Sequence, residues 1–248
     1  MPRFKLTLEY DGTSFCGWQK QDNALSVQSA LEMALQKLVR AEVKTVAAGR
    51  TDAGVHASGQ VVHVDLAGDW QDEKLTAGIN HFIRPHPVVV LRSERVADTF
   101  HARFGAVQRH YTYTVIQRRA PLILERNRAW HVTLPLDTAA LHQAASMLLG
   151  THDFTSFRAI NCQAKSPVRT IDSAAWDISG DRYVFHIAAR SFLHHQVRNL
   201  VGTMVQMGLG RWPVSYLEDI FAAKNRSAAG ITAPAGGLCF ARVIYPAD

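Results

Sequence analysis

Two passages of strand and helix periodicity, one on each side of residues 105–110, constrain this chain more than any other feature. In the first, Phe4-Lys5-Leu6-Thr7-Leu8-Glu9-Tyr10 alternates as a strand with one buried face must. Ser26 stands where a helix needs a cap, ahead of Val27, Ala30, Leu31, Ala34, Leu35 and Leu38 at i, i+3, i+4 spacing. Strands at 43–48, 60–66 and 88–96 and a helix at 72–82 complete this passage. The second opens with a strand at 111–117 and a helix at 138–149, capped by Asp137 and stopped at Gly150. Strands at 171–178 and 183–190 precede a helix at 194–207, Pro213 starts another, and 239–245 is a last strand. Neither passage is a strict β-α-β-α alternation, so the expected class is α+β with long antiparallel runs. The 248 residues, 47% hydrophobic, suffice for two modest cores. The predicted halves are 1–104 and 105–248, divided within Gly105–Arg109, and no low-complexity linker separates them, so they are expected to pack as a unit.

Charge and cysteine usage narrow the function classes. There are 27 Lys and Arg against 21 Asp and Glu, a formal +6, which favours a polyanionic partner. Residues 84–128 hold nine arginines against Glu94, Asp98 and Glu125, a surplus as large as that of the whole chain. This stretch reads as one wall of an RNA groove, with an ordinary solvated surface as the alternative. Cys16, Cys162 and Cys239 lie far apart and form no C-x-x-C, so neither a disulfide framework nor a zinc site is expected, and a reducing cytoplasm fits. His194 and His195 are adjacent and no H-E-x-x-H or carboxylate-rich cluster accompanies them, so the histidines are expected to pack or touch RNA. The N-terminal residues run straight into the first strand without an apolar signal region, and no apolar run is long enough to span a bilayer, so a soluble, unexported protein is expected.

The run Ala48-Gly49-Arg50-Thr51-Asp52-Ala53-Gly54-Val55-His56-Ala57 places one short carboxylate between two glycines and beside a guanidinium. Such a segment is poor core material. Gly49 and Gly54 permit a bulky ligand to approach the main chain around Asp52, and Arg50 can hold a phosphate or pair with the acid. The same residues can also make a polar turn in which Asp52 caps a neighbouring N–H and Arg50 is solvated.

The string Gly49-Arg50-Thr51-Asp52-Ala53-Gly54-Val55-His56 closely resembles the catalytic motif of the TruA family of tRNA pseudouridine synthases. Further blocks follow the family's order: Glu9-Tyr10-Asp11-Gly12-Thr13 with Gly17-Trp18-Gln19, Phe100-His101-Ala102-Arg103-Phe104, Arg109-His110-Tyr111-Thr112-Tyr113, Asp153-Phe154-Thr155-Ser156-Phe157 and Phe192-Leu193-His194-His195-Gln196-Val197-Arg198-Asn199. The resemblance implies two ferredoxin-like halves whose mainly antiparallel sheets join, with a central RNA-binding cleft. It implies isomerisation of uridine to pseudouridine at positions 38, 39 and 40 of the tRNA anticodon arm, by a homodimer. Asp52 is then the catalytic group, acting as nucleophile or as base on the sugar. Arg198 is the cation that keeps this acid ionised, and Tyr111 stacks on the displaced base and can aid proton transfer, while Tyr113 belongs to the core. Arg50 fills the space left by the flipped uridine, and Leu238 lines the base pocket. Asp11, Gln19, Arg103 and Arg158 carry weaker claims as RNA-contacting or cleft-shaping residues. The reaction needs no redox change and no external atom, so no cofactor or metal is expected, in keeping with the lack of a glycine-rich phosphate loop followed by Lys.

Two other readings compete. Thr51-Asp52-Ala53-Gly54 has a superficial likeness to the Asp-Thr-Gly of aspartic proteases, but that chemistry needs a second such carboxylate, and no further Asp-Thr-Gly or Asp-Ser-Gly occurs. A noncatalytic RNA-binding module of ferredoxin-like fold would explain the basic surface and Tyr111. It gives no reason for an acid to sit where a polyanion must approach.

Overall fold

A computed structural model describes residues 1–21 and 23–246. The chain falls into two compact units, residues 1–107 with the chain from Cys239 onward, and Gln108–Leu238. The expected spans were 1–104 and 105–248, of which 247–248 lie outside the described residues. The departure from those spans is the last strand, which pairs within the first unit.

That unit contains strand β1 (Arg3–Tyr10), helix α1 (Val27–Val39), strands β2 (Thr45–Ala47) and β3 (His56–Asp65), helix α2 (Asp72–Phe82) and strand β4 (Val88–Val96). The alternation of β1 has its expected cause: Phe4, Leu6, Leu8 and Tyr10 are buried while the residues between them are not. β1 lies between β4 and β3, antiparallel to both. β2 pairs antiparallel with the other edge of β3, giving the β-α-β-β-α-β pattern of the ferredoxin-like fold. Ser26 and Ser29 cap α1 reciprocally, each side chain meeting the other's backbone N–H, and Val27, Ala30, Leu31, Ala34 and Leu35 form its buried stripe. α2 packs on α1 and on β4, where the Asn80 side chain both donates to Val90 C=O and accepts from Val90 N–H.

The second unit contains β5 (Gln108–Gln117), β6 (Trp130–Val132), α3 (Thr138–Ser146), β7 (Gly150–Asp153), β8 (Val168–Ser179), β9 (Arg182–Ala189), α4 (Gln196–Gly208) and α5 (Tyr216–Ala223). Its sheet runs β5-β9-β8-β7, each neighbour antiparallel, with β6 parallel to β5. α3 and α4 pack on one another. The chain then forms β10 (Leu238–Ile244), which runs parallel to β3 through Cys239 opposite His56 and Phe240 opposite Ala57.

Several boundaries moved for local reasons. α3 ends at Ser146 rather than 149, because Leu148 and Leu149 donate to Ala145 and Ser146 in i→i+3 bonds that tighten the last turn before Gly150. α4 starts at Gln196 because His195 adopts φ 63°, outside the helical region. Pro213 opens a turn bonded to Tyr216 N–H, and α5 begins there. β3 starts at His56 rather than 60, and the short strands β6 and β7 have no periodicity to announce them.

α4 is buried nearly all round, and its polar residues Gln196, Asn199 and Thr203 have no exposed surface. Gly202, on the same helix, lets the backbone of Ile231 approach so closely that a Cβ would lie 1.8 Å from its carbonyl oxygen. Gly→Ala in a helix ordinarily gains about 1 kcal/mol, whereas overpacking against rigid backbone costs about 1–3 kcal/mol or more. A Cβ that close to backbone puts the cost at the upper end, so Gly202→Ala is expected to destabilise the protein by about 2 kcal/mol or more in urea unfolding, and a stabilised variant would refute this packing.

Candidate active site

The segment carrying Asp52 is fixed by neutral groups of the first unit. Ala48 N–H donates to Val61 C=O at 2.8 Å, and the Gln60 side-chain amide donates to Gly49 C=O at 2.8 Å. Thr51 hydroxyl and Tyr10 hydroxyl lie 2.8 Å apart, both buried, and Trp18 N–H donates to Thr51 C=O. Burial raises the Tyr10 phenol well above its ordinary range, opposed by its hydrogen bonds to Thr51 and Gln60, so it stays a neutral hydroxyl. Gly17, at φ 110°, brings its backbone against this loop so tightly that a Cβ would sit 2.7 Å from Thr51 C=O.

Asp52 itself begins a turn that Val55 N–H closes onto its carbonyl at 3.1 Å, with Gly54 at φ 78° in the third position, where a type II turn requires positive φ. Asp52 is half-buried and Arg50 is exposed. The turn is thus real, and the acid is carried on a backbone whose flanks are hydrogen-bonded to β1, β3 and the segment 15–18. His56 closes the far end of the loop by accepting Gly12 N–H on Nδ1 at 3.0 Å. Asp11 accepts from the backbone and hydroxyl of Thr13, and Gln19 is exposed.

A second loop of this unit carries Arg103, whose guanidinium lies 5.4 Å over the exposed Phe104 ring. Its backbone is held by two imidazoles. His63 Nδ1 accepts Ala102 N–H at 3.1 Å, and His101 Nδ1 accepts from Arg103 and Phe104. The two rings lie 4.8 Å apart.

In the second unit, Tyr111 of β5 is half-buried, its ring edge-on to Phe192 at 5.2 Å. Tyr113, two residues on, is fully buried and donates its hydroxyl to Pro234 C=O at 2.8 Å. Burial pushes its pKa up, partly opposed by the Arg198 charge. Arg198 of α4 donates Nε–H to Ala233 C=O at 2.8 Å, and its own carbonyl accepts Ala233 N–H. Leu238 is 6% exposed at the start of β10. Arg158 follows a short 3₁₀ turn, Thr155–Phe157, and donates its backbone N–H to Thr155. The structure thus puts Arg50 and Asp52 on one loop and Arg103 on another of the first unit, with Tyr111, Arg158, Arg198 and Leu238 in the second. Gln60 and His63 escaped the sequence reading. The signal for both was a polar side chain inside the valine-rich run Gln60-Val61-Val62-His63-Val64.

The α+β fold presents an acid on a glycine-flanked turn, and comparison with known proteins gives the class of enzyme to which such a chain belongs. Residues 7–105 and 144–246 match the family described as tRNA pseudouridine synthase, and the chain belongs to that family. It is 53% identical over 245 residues to tRNA pseudouridine synthase A of Rhodospirillum centenum, covering 99% of this chain and 100% of that one. The enzyme of the same name from Maricaulis maris is 50% identical over 246 residues, 99% of each chain, and that of Azorhizobium caulinodans 51% identical over 99% of this chain and 95% of its own. Among solved structures, a Cbf5-Nop10-Gar1 complex aligns with TM-score 0.37 and 10% identity over 82% of this chain and 45% of that one, too remote to bear on the site.

Burial, Arg3 and His101 lower the pKa of His63 from 6.5 to about 4, so its ring is neutral when it holds Ala102. A group with a depressed basic pKa binds its proton better in the unfolded chain, so the stability it confers is complete above about pH 6.5 and is lost as the pH falls toward 4. His63→Gln retains an acceptor without the titration. Urea unfolding at pH 7 and pH 5 should show wild type losing more stability than His63→Gln over that interval, and equal losses would exclude a neutral His63 anchor.

Proposed function

We propose that this chain converts uridine to pseudouridine at positions 38, 39 and 40 of the tRNA anticodon arm, with Asp52 as nucleophile or base. The observation that carries this reading is an acid held on a rigid turn beside Arg50, in a chain that belongs to the family over most of its length. In the reaction the bond from ribose C1′ to base N1 breaks, the uracil turns, and C1′ bonds to C5. The C5 proton leaves and N1 acquires one, so atoms and electrons balance without a co-reactant. Asp52 acts on the sugar while Arg198 keeps the acid ionised against desolvation. Tyr111 stacks on the turned base, and such stacking contributes about 1–3 kcal/mol. Its half-buried ring, unlike that of Tyr113, has surface left to offer.

Arg50 occupies the gap left by the extruded uridine, and its exposure is compatible with that task. Leu238 lines the base pocket, and Arg103 and Arg158 contact RNA. The working form is a homodimer in the cytoplasm, a compartment that suits Cys16, Cys162 and Cys239, none of which is in a disulfide. Among the described residues no helix is long and apolar enough to cross a membrane.

Single-turnover assays on one anticodon arm, paired or mismatched at the target uridine, test these roles together. Asp52→Asn should lose about a thousandfold in rate on both RNAs, roughly 4 kcal/mol of transition-state stabilisation, while still binding tRNA. Arg50→Ala should be impaired mainly on the paired arm, because a mismatched base lacks part of the few kcal/mol of stacking to be overcome. Near-normal turnover by folded Asp52→Asn would remove it from the chemistry, and equal defects of Arg50→Ala on both arms would reject base extrusion as its role. Mapping pseudouridine in tRNA from cells lacking the protein checks the three positions.

A further inference from the structure

The polar face of α4 supports a hollow of about 550 Å³ in the second unit, and three cations line it: Arg158, Lys224 and Arg226. Asn199 and Thr203 build its support. Asn199 Oδ1 accepts from Thr232 hydroxyl at 2.7 Å and Arg226 Nη2 at 3.0 Å, and Thr203 hydroxyl accepts Gly230 N–H at 3.0 Å. The Arg226 guanidinium donates to Asn199, Thr232 and the Ala229 carbonyl, all neutral acceptors. It is therefore fixed in place without being neutralised. Burial lowers its pKa somewhat, and an arginine so lowered still carries its charge at neutral pH. Lys224 lies 3.5 Å from Asp153 Oδ2, while the other oxygen of that carboxylate serves Thr155. The hollow is thus lined by three cations and no carboxylate, and of the three Lys224 is paired with Asp153, which lies outside the lining. Beside them Ile160 is 97% exposed and Ile231 58% exposed, an apolar margin of the kind a ribose or base can cover.

We propose that this hollow binds backbone phosphates of the RNA, with Arg226 as its fixed cation and Arg158 and Lys224 as further cations in its lining. The proposal rests on the reading of RNA as substrate and extends the RNA contact of Arg158 to Lys224 and Arg226, which have no part in the uridine chemistry. A half-buried, pre-oriented guanidinium attracts a phosphate more strongly than a solvated one, because screening is weaker and less side-chain freedom is lost. The exposed lysine adds charge with less directional demand.

The test is tRNA affinity of the full-length protein, measured by fluorescence anisotropy over a range of salt concentrations, with single-turnover isomerisation followed in parallel. In the double variant Arg158→Gln, Lys224→Gln, which leaves Arg226 and its network intact, the slope of log affinity against log salt should fall by about 0.7–0.9 for each phosphate that is no longer neutralised. Asp153→Asn keeps the acceptor for Thr155 but removes the opposing charge, and should tighten tRNA binding several-fold at low salt. It also keeps the proposal testable if the double variant fails to fold. An unchanged slope in the folded double variant, or binding no tighter in Asp153→Asn, overturns the hollow as an RNA site. Titration with inorganic phosphate at matched ionic strength is a separate arm: binding that the double variant loses while its RNA slope is unchanged identifies a small-anion site and also overturns the proposal. If wild type binds tRNA but isomerises no uridine, the functional reading falls while a reduced slope in the variant still upholds the phosphate site.

Discussion

Strand β3 carries three buried polar side chains, and each is committed to the backbone of a different loop. His56 accepts from Gly12, Gln60 donates to Gly49, and His63 accepts from Ala102. A buried polar group left without a partner costs about 1–3 kcal/mol, so each loop can leave its position only by orphaning a group on the central strand of its own sheet. The loop with Asp52 and the loop with Arg103 are in this sense attachments of β3, held by it rather than by one another. Gln60 and His63 make these attachments through the loop backbone, at Gly49 C=O and Ala102 N–H.

The second unit uses helix α4 in the same way. Asn199 donates to Phe157 C=O and accepts from Thr232 and Arg226, and Thr203 bonds both Asn199 C=O and Gly230 N–H. Arg198 is secured by the Ala233 carbonyl. Arg226, oriented by an amide, a hydroxyl and a carbonyl, keeps its charge for a polyanion, whereas a carboxylate partner would have cancelled it. This distribution gives the chain's basic surplus a geometry as well as a sign.

The elements read correctly from the sequence were those whose own side chains decide the outcome. β1 shows one buried face in its alternation, α1 has both its stripe and its Ser26 cap, and α2 and β4 occupy the residues expected of them. The misplaced boundaries are set by partners distant in sequence. β3 begins at His56 because β10 pairs with it there, and β6 exists because β5 offers it an edge. The motif around Asp52 stood out because its glycines and charges fit no core, and its turn was legible in Gly54. Gln60 and His63 were not, since a polar residue in an apolar strand looks the same whether it faces solvent or fastens a loop. Likewise nothing local marks Arg226 as a fixed cation, since one of its three acceptors, Asn199, is supplied by a helix 27 positions earlier in the chain.

The return of β10 to β3 orders events during synthesis. Ser58 and Cys239, whose side chains meet at 3.7 Å, are 181 positions apart, so the edge of β3 next to the Asp52 loop stays open until nearly all of the chain has left the ribosome. Contacts of such separation form late, and the intervening second unit, a continuous stretch, can complete its own sheet first. An interrupted translation product would thus hold a finished domain bearing Tyr111 and Arg198 beside an unsealed one bearing Asp52. The bonds that hold the acid loop all lie within the first 61 residues, so what waits for β10 is the β3 edge at His56 and Ala57, just beyond that loop.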